Sequence, residues 1–220
     1  MNDEEILMML KEAVIGMDAD GARKAAEEAL KAGLDPADAI VKGLSEGMRI
    51  VGQRFGKMEI FLSEVLTSAD AYYAALNILR PKMSDEKARS TFTATLVMGT
   101  IFGDIHTVGK DVAIPVFESA GFNVIDLGTD VPPEKFVEAV IQSGAELVGL
   151  GTYMSETFFH VPEVVEAFKR AGIRKKVKMI CGGPAVDSET ARKLGADDAS
   201  SDAWEAVEKM NKLLKELRGK

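Results

Sequence analysis

The chain has 220 residues, 46% of them hydrophobic and 28% charged, with a formal net charge of −8. That length suits one or two domains, each able to bury a core. The acidic balance argues against a nucleic-acid partner, which is met by a basic patch. A single cysteine, Cys181, excludes an internal disulfide framework and fits a reducing, cytoplasmic setting. The opening MNDEEILMML lacks the basic n-region and apolar run of a signal peptide. No uncharged run approaches the roughly 18 residues of a spanning helix, so no membrane partner is expected.

The first 82 residues read as helices only. EEILMMLKEAVIG has apolar residues at helical spacing and ends near Gly16. DADGARKAAEEALKAG opens on capping aspartates and closes on Gly33. DPADAIVKGLSEGMRIVGQRFGKM begins with Asp35 as N-cap and Pro36 at the first helical position. FLSEVLTSADAYYAALNILRP offers Ser63 as N-cap and stops at Pro81. Four helices joined by short turns predict an antiparallel bundle. Residues 83–91, polar and without amphipathic period, read as a linker, and the stretch from Pro81 to residue 91 as a hinge.

From residue 92 to 220 the pattern alternates. TFTATLVMGT, FNVIDLG, AELVGLGTYM, KVKMICGGP and ADDAS read as strands, and amphipathic segments between and after them as helices. Five strands alternating with five helices predict right-handed crossovers and a parallel sheet of Rossmann or flavodoxin-like type. Ligands of such sheets sit at the carboxyl ends of the strands.

The loop FGDIHTVG follows the first strand and holds one of only two histidines. It is neither a G-x-G-x-x-G nor a P-loop, so dinucleotide and nucleotide binding lose their signatures. An imidazole held by a carboxylate through one nitrogen presents the other as a fixed lone pair, suited to a metal ligand or a general base. One histidine is too few for a structural zinc site. It is enough when the metal arrives held by a macrocycle.

GDIHTVGKDVA resembles the D-x-H-x-x-G signature of cobalamin-binding domains. A helical bundle, EIFLSEVL within it, VIDLGTDVPPEKFVEAV and CGGPAV extend that resemblance over nearly the whole chain. It is similar to the corrinoid proteins of methyltransferase systems and to the cobalamin-binding module of methionine synthase. The resemblance implies that His106 displaces the dimethylbenzimidazole and becomes the lower axial ligand of cobalt. Asp104 would hold the other imidazole nitrogen, and Thr157 would complete a His106–Asp104–Thr157 relay; read alone, Thr157 is equally a helix cap. Ile105, Thr107, Val108 and Gly109 would border the corrin. Gly151, Thr152, Tyr153, Ser155, Gly182 and Gly183 would line the channel for the nucleotide tail, although CGGP alone is equally an ordinary turn. The family usually has S-x-L on the third strand. Here Gly151 stands for the serine and Tyr153 for the leucine, which changes the channel wall. Phe61, Leu62, Val65 and Leu66 are candidates to shield a cobalt-bound methyl group, or are plain core. His160 is read as structural or exposed.

The implied role is a carrier of methylcobalamin. A substrate:corrinoid methyltransferase would load it, and a second methyltransferase acting on tetrahydrofolate or a thiol would unload it. As the methyl group leaves, His106 would detach and take up a proton with Asp104 stabilising the imidazolium. A reductive activating protein is an implied third partner. The alternative within the same cofactor class is a cobalamin-binding sensor.

Overall fold

The computed structural model describes residues 2–83 and 92–219. The predicted linker, residues 83–91, thus lies outside the described residues apart from Met83, and so does most of the predicted hinge. The chain clusters into two compact units: a helical one up to Thr93 that also takes in Glu118–Gly121, and a sheet unit holding the rest.

In the helical unit, α1 (Asp3–Ile15) starts with a capping box between Asn2 and Glu5. Helix α2 (Ala19–Ala32) is capped by Asp18 and closed by Gly33 in the left-handed conformation, φ 76°. Its buried Ala22, Ala25, Ala26 and Ala29 recur at helical spacing, and their small side chains let α1 and α4 (Leu62–Leu79) approach closely. Helix α3 runs in three pieces: Pro36–Asp38, a π-helical Ala39–Ser45, and Glu46–Gly56. Asp35 caps it and Pro36 opens it, as the sequence predicts. The π-helical turn was not predicted; it falls beside Gly43, where an added Cβ would lie 2.9 Å from Leu10. One correction concerns α4. Its cap is not Ser63: the helix begins at Leu62, and the Glu64 carboxylate accepts from the Phe61 amide at 2.8 Å. The side chain three residues into the helix does the capping work, so the cap moves two residues upstream.

The sheet unit has five parallel strands: β1 (Ala94–Thr100), β2 (Phe122–Asp126), β3 (Leu147–Gly151), β4 (Lys178–Gly182) and β5 (Asp198–Ser200), in the order β2-β1-β3-β4-β5. That is the flavodoxin-like order, with its reversal between β1 and β3. The crossovers are α5 (Val108–Ser119), α6 (Pro133–Ser143), α7 (Val161–Arg170) and α8 (Ser188–Lys193), and α9 (Ala203–Leu217) closes the chain. Val97, Val148, Leu150 and Met179 of the sheet join Phe136 and Phe168 of α6 and α7 in one buried cluster. Each such aromatic contributes roughly 1.5–3 kcal/mol by burial. Helix α9 packs on β4 and β5 with Met210, Leu213 and Leu214 buried. Strand β3 is shorter than the predicted AELVGLGTYM: it stops at Gly151, and Tyr153 and Met154 lie in the following loop, where their amides turn to a side chain instead of the ladder. Among the described residues no helix is long and apolar enough to cross a membrane.

Candidate functional site

The strand-order reversal leaves a crevice between the loops that follow β1 and β3, and the predicted histidine loop lies there. Several bonds fix this loop. Thr100 Oγ1 donates to the His106 carbonyl at 2.9 Å. The Gly103 amide, at φ 79°, donates to Asp130 Oδ1 at 2.7 Å, and the Asp130 amide donates back to the Asp104 carbonyl at 2.9 Å.

Asp104 is the centre of the site, with no exposed surface. Its Oδ1 accepts from the His106 amide at 3.1 Å and faces His106 Nδ1 at 2.8 Å. Its Oδ2 accepts from the amides of Tyr153 at 2.9 Å and Met154 at 3.2 Å, and from Thr157 Oγ1 at 3.1 Å. Burial acts to raise the Asp104 pKa, but these hydrogen bonds outweigh it and hold the carboxyl below its ordinary value. An ionised carboxylate only accepts. The shared proton therefore sits on Nδ1, so in the neutral imidazole it is Nε2 that carries the lone pair. The His106 side chain is 55% exposed.

The structure thus brings His106, Asp104 and Thr157 into one relay. Thr157 does precede a short 3-10 turn, Phe158–His160, but its hydroxyl makes no capping bond there. Thr107, Ile105 and Val108 are exposed around the ring, the last two at 73% and 56%. Thr152 is buried and bonds the Gly182 carbonyl through both its amide, at 2.6 Å, and its hydroxyl, at 3.0 Å. Ser155 is exposed and takes no part in the Asp104 bonds. Gly109, Gly151 and Gly183 share one neighbour, the Tyr153 ring, whereas a Cβ on Gly182 would meet nothing within 4 Å. His160 pairs with Glu163 at 3.0 Å and stacks edge-on against Phe102.

The four helical-unit candidates divide. Phe61 is 79% exposed and Leu62 39%, while Leu66 is half-buried. Val65 has no exposed surface, which favours the plain-core alternative for that residue.

Sequence reading missed Lys110, Asp126 and Asp130. Lys110 is buried, with Nζ 2.6 Å from Asp126 Oδ2 and 3.1 Å from Asp111 Oδ1. Burial acts to lower its pKa, but the two carboxylates prevail and raise it. The pair ties the first turn of α5 to the end of β2. A signal was present: a cation in the first turn of a helix opposes the macrodipole and calls for a carboxylate partner.

These residues suit a metal carried by a macrocycle. Among the described residues no group of three or more His, Cys, Asp or Glu side chains is placed to hold a bare ion. One oriented imidazole is offered instead, with exposed apolar side chains on its loop and three glycines packed around the neighbouring Tyr153 ring.

Comparison with known proteins agrees. Residues 94–208 match the family model described as B12 binding domain, and residues 6–80 match a second model of the same description. The chain is 39% identical over 213 residues to the trimethylamine corrinoid protein of Methanosarcina barkeri, covering 97% of this chain and 98% of that one. It is 39% identical over 214 residues to dimethylamine corrinoid protein 1 of Methanosarcina acetivorans, covering 97% and 100%. Among solved structures it is similar to the methanol:cobalamin methyltransferase complex of Methanosarcina barkeri, with TM-score 0.85 and 26% identity over 100% of this chain and 82% of that one. A cobalamin-binding protein from Desulfitobacterium hafniense DCB-2 is similar with TM-score 0.69 and 30% identity, over 94% and 98%. An oriented imidazole at the switch point of a flavodoxin-like sheet thus meets two matched B12-binding segments, and the chain belongs to the cobalamin-binding corrinoid proteins of methyltransferase systems.

Proposed function

We propose that this chain is a methyl carrier whose corrinoid is held by His106 Nε2 as the lower axial ligand. The observation that carries the reading is the Asp104–His106 pair: the carboxylate fixes the Nδ1 proton at 2.8 Å, and the opposite nitrogen is left as a lone pair on an exposed ring. When bound, the corrinoid supplies a cobalt able to accept a methyl group and to give it up. Asp104 and Thr157 orient the ring, and the tie from Thr100 to the His106 carbonyl fixes the loop that carries it. Asp104, ionised and 2.8 Å from Nδ1, would stabilise an imidazolium at His106 should Nε2 carry a proton instead of the metal. Ile105 and Val108 would supply apolar contact, and Gly151, Gly182 and Gly183 room for the tail; exposed Phe61 and Leu62 are the candidates in the helical unit to shield a cobalt-bound methyl group.

Relatives named for trimethylamine and dimethylamine favour a methylamine:corrinoid methyltransferase as loading partner. An acceptor methyltransferase and a reductive activating protein complete the proposed cycle, in the cytoplasm. We assign residues 1–82 as the helical domain, 83–91 as linker and 92–220 as the cofactor domain, in keeping with the spans of the two family matches.

The test is electron paramagnetic resonance of the full chain loaded with Co(II) cobalamin. Labelling with 15N-histidine should change the nitrogen splitting of the cobalt signal, and His106→Ala should abolish that change. A splitting indifferent to the label would overturn His106 ligation.

A further inference from the structure

The space beside His106 between Gly109, Gly151 and Gly183 is filled by one side chain, Tyr153. A methyl group placed on Gly109 would lie 2.4 Å from Tyr153 Cε1, one on Gly151 3.0 Å from Cε2, and one on Gly183 3.0 Å from Cδ1. The ring is therefore gripped on both edges by three positions that lack a side chain. Its centroid is 6.1 Å from that of His106. The Tyr153 amide is fixed on Asp104, so the backbone cannot move without dismantling the relay. Among the described residues the phenol hydroxyl has no hydrogen bond, so packing alone retains the ring, and a rotamer change releases it.

With His106 as ligand, the nucleotide base of a bound corrinoid would be off the metal, and its tail would need room on the side of the ring that His106 occupies. The space beside His106 between those glycines is the space Tyr153 fills. We propose that Tyr153 is the door of this space and a specificity-determining residue: its ring turns out before a corrinoid bearing a nucleotide tail can seat, while a corrinoid without the tail seats with the ring in place. This rests on the reading of His106 as the lower ligand.

Stopped-flow absorbance with aquocobalamin and with aquocobinamide, which has no nucleotide, tests it on the full chain. The wild-type chain should load cobinamide faster than cobalamin by on the order of tenfold, the factor that follows when the open rotamer is about a tenth of the population. Tyr153→Leu should remove that difference by accelerating cobalamin alone, and Tyr153→Phe, which keeps the ring, should behave as wild type. Equal loading of the two corrinoids by the wild-type chain, or acceleration of both alike by Tyr153→Leu, overturns the door. Failure of the wild-type chain to bind either corrinoid overturns the His106 reading and the door with it. A second readout needs no folded leucine variant. The chain has three tyrosines, and in fluorotyrosine-labelled protein the Tyr153 resonance is the one missing from Tyr153→Phe. It should move to a solvent-like position with cobalamin; a resonance that stays buried overturns the proposal.

Discussion

Replacing Asp104 by asparagine tests the relay at its centre. The carboxylate takes part in five hydrogen bonds, two on Oδ1 and three on Oδ2. An asparagine of the same shape has one accepting oxygen. Facing the loop after β3, that oxygen keeps the Tyr153 amide, the Met154 amide and the Thr157 hydroxyl; facing His106, it abandons all three. The first pose wins, and the amide NH2 then points at His106. There it opposes the His106 amide, donor against donor, and donates to Nδ1. The imidazole must shift its proton to Nε2, which loses the lone pair. Charge-assisted bonds are about twice as strong as neutral ones, and an abandoned donor costs about 1–3 kcal/mol, so the variant should lose roughly 2–4 kcal/mol of stability. Corrinoid affinity should fall by about tenfold or more, since about 1.4 kcal/mol of tautomer penalty suffices for that. Urea unfolding measures the first effect, a cobalamin titration the second, and 15N chemical shifts of the His106 ring identify the tautomer. A variant that keeps its proton on Nδ1 and its full stability would refute the reasoning.

Gly183 has φ 113°, and a Cβ there would lie 2.5 Å from the Thr152 carbonyl oxygen. Gly183→Ala should therefore destabilise the chain by about 1–3 kcal/mol, whereas Gly182→Ala, which meets no protein atom, should leave the urea midpoint unchanged and slow cobalamin loading. Cys181, fully buried on β4, has its thiol pushed up to about 12 by burial. A thiol reagent at neutral pH should label the native chain only at the rate of unfolding, and rapid labelling without denaturant would show the strand to be open. Glu118 is buried, and burial pushes its carboxyl up to about 7 against the pull of Arg80, 3.3 Å away. The folded chain then holds that proton more tightly than the unfolded one. This contribution is complete below the unfolded value of 4.5 and is lost as pH rises through about 7, a swing of roughly 3 kcal/mol. Glu118→Gln should flatten that part of the thermal stability profile, and an unchanged slope would assign it to other groups.

Element type was legible in the sequence wherever one periodicity ruled. Four of the strands are short, largely apolar runs, the fifth is the brief Asp198–Ser200, and all five predicted strands appear in the structure. Asp35, Pro36 and Gly33 acted locally, so their roles could be read from residue type. Ser63 could not be read in the same way, because Glu64, one residue further on, supplies the competing cap. The strand order, and with it the position of the switch point, is a property of long-range pairing that no single segment carries. Asp104 and His106 were legible because only Ile105 separates them: the short D-x-H spacing lets one carboxylate reach the ring and the amide of the same loop. Lys110 with Asp126, and Asp130 with Gly103, join residues 16 and 27 apart across crossovers, so their pairing is written in the fold alone.

The same distinction explains why Tyr153 matters more than its residue type suggests. In a strand it would be an aromatic of good β propensity, facing one side of the sheet. Strand β3 stops at Gly151 because Asp104, 49 and 50 residues upstream, takes the Tyr153 and Met154 amides that would have continued the ladder. One buried carboxylate thereby sets both the tautomer of the candidate ligand and the point where the tyrosine leaves the sheet. A change that loosens Asp104 frees the Tyr153 backbone and the histidine together, and a change at the Tyr153 side chain need not disturb the histidine at all. That asymmetry makes the two residues separable by experiment: Asp104→Asn should alter binding of every corrinoid, and Tyr153→Leu only of those with a tail.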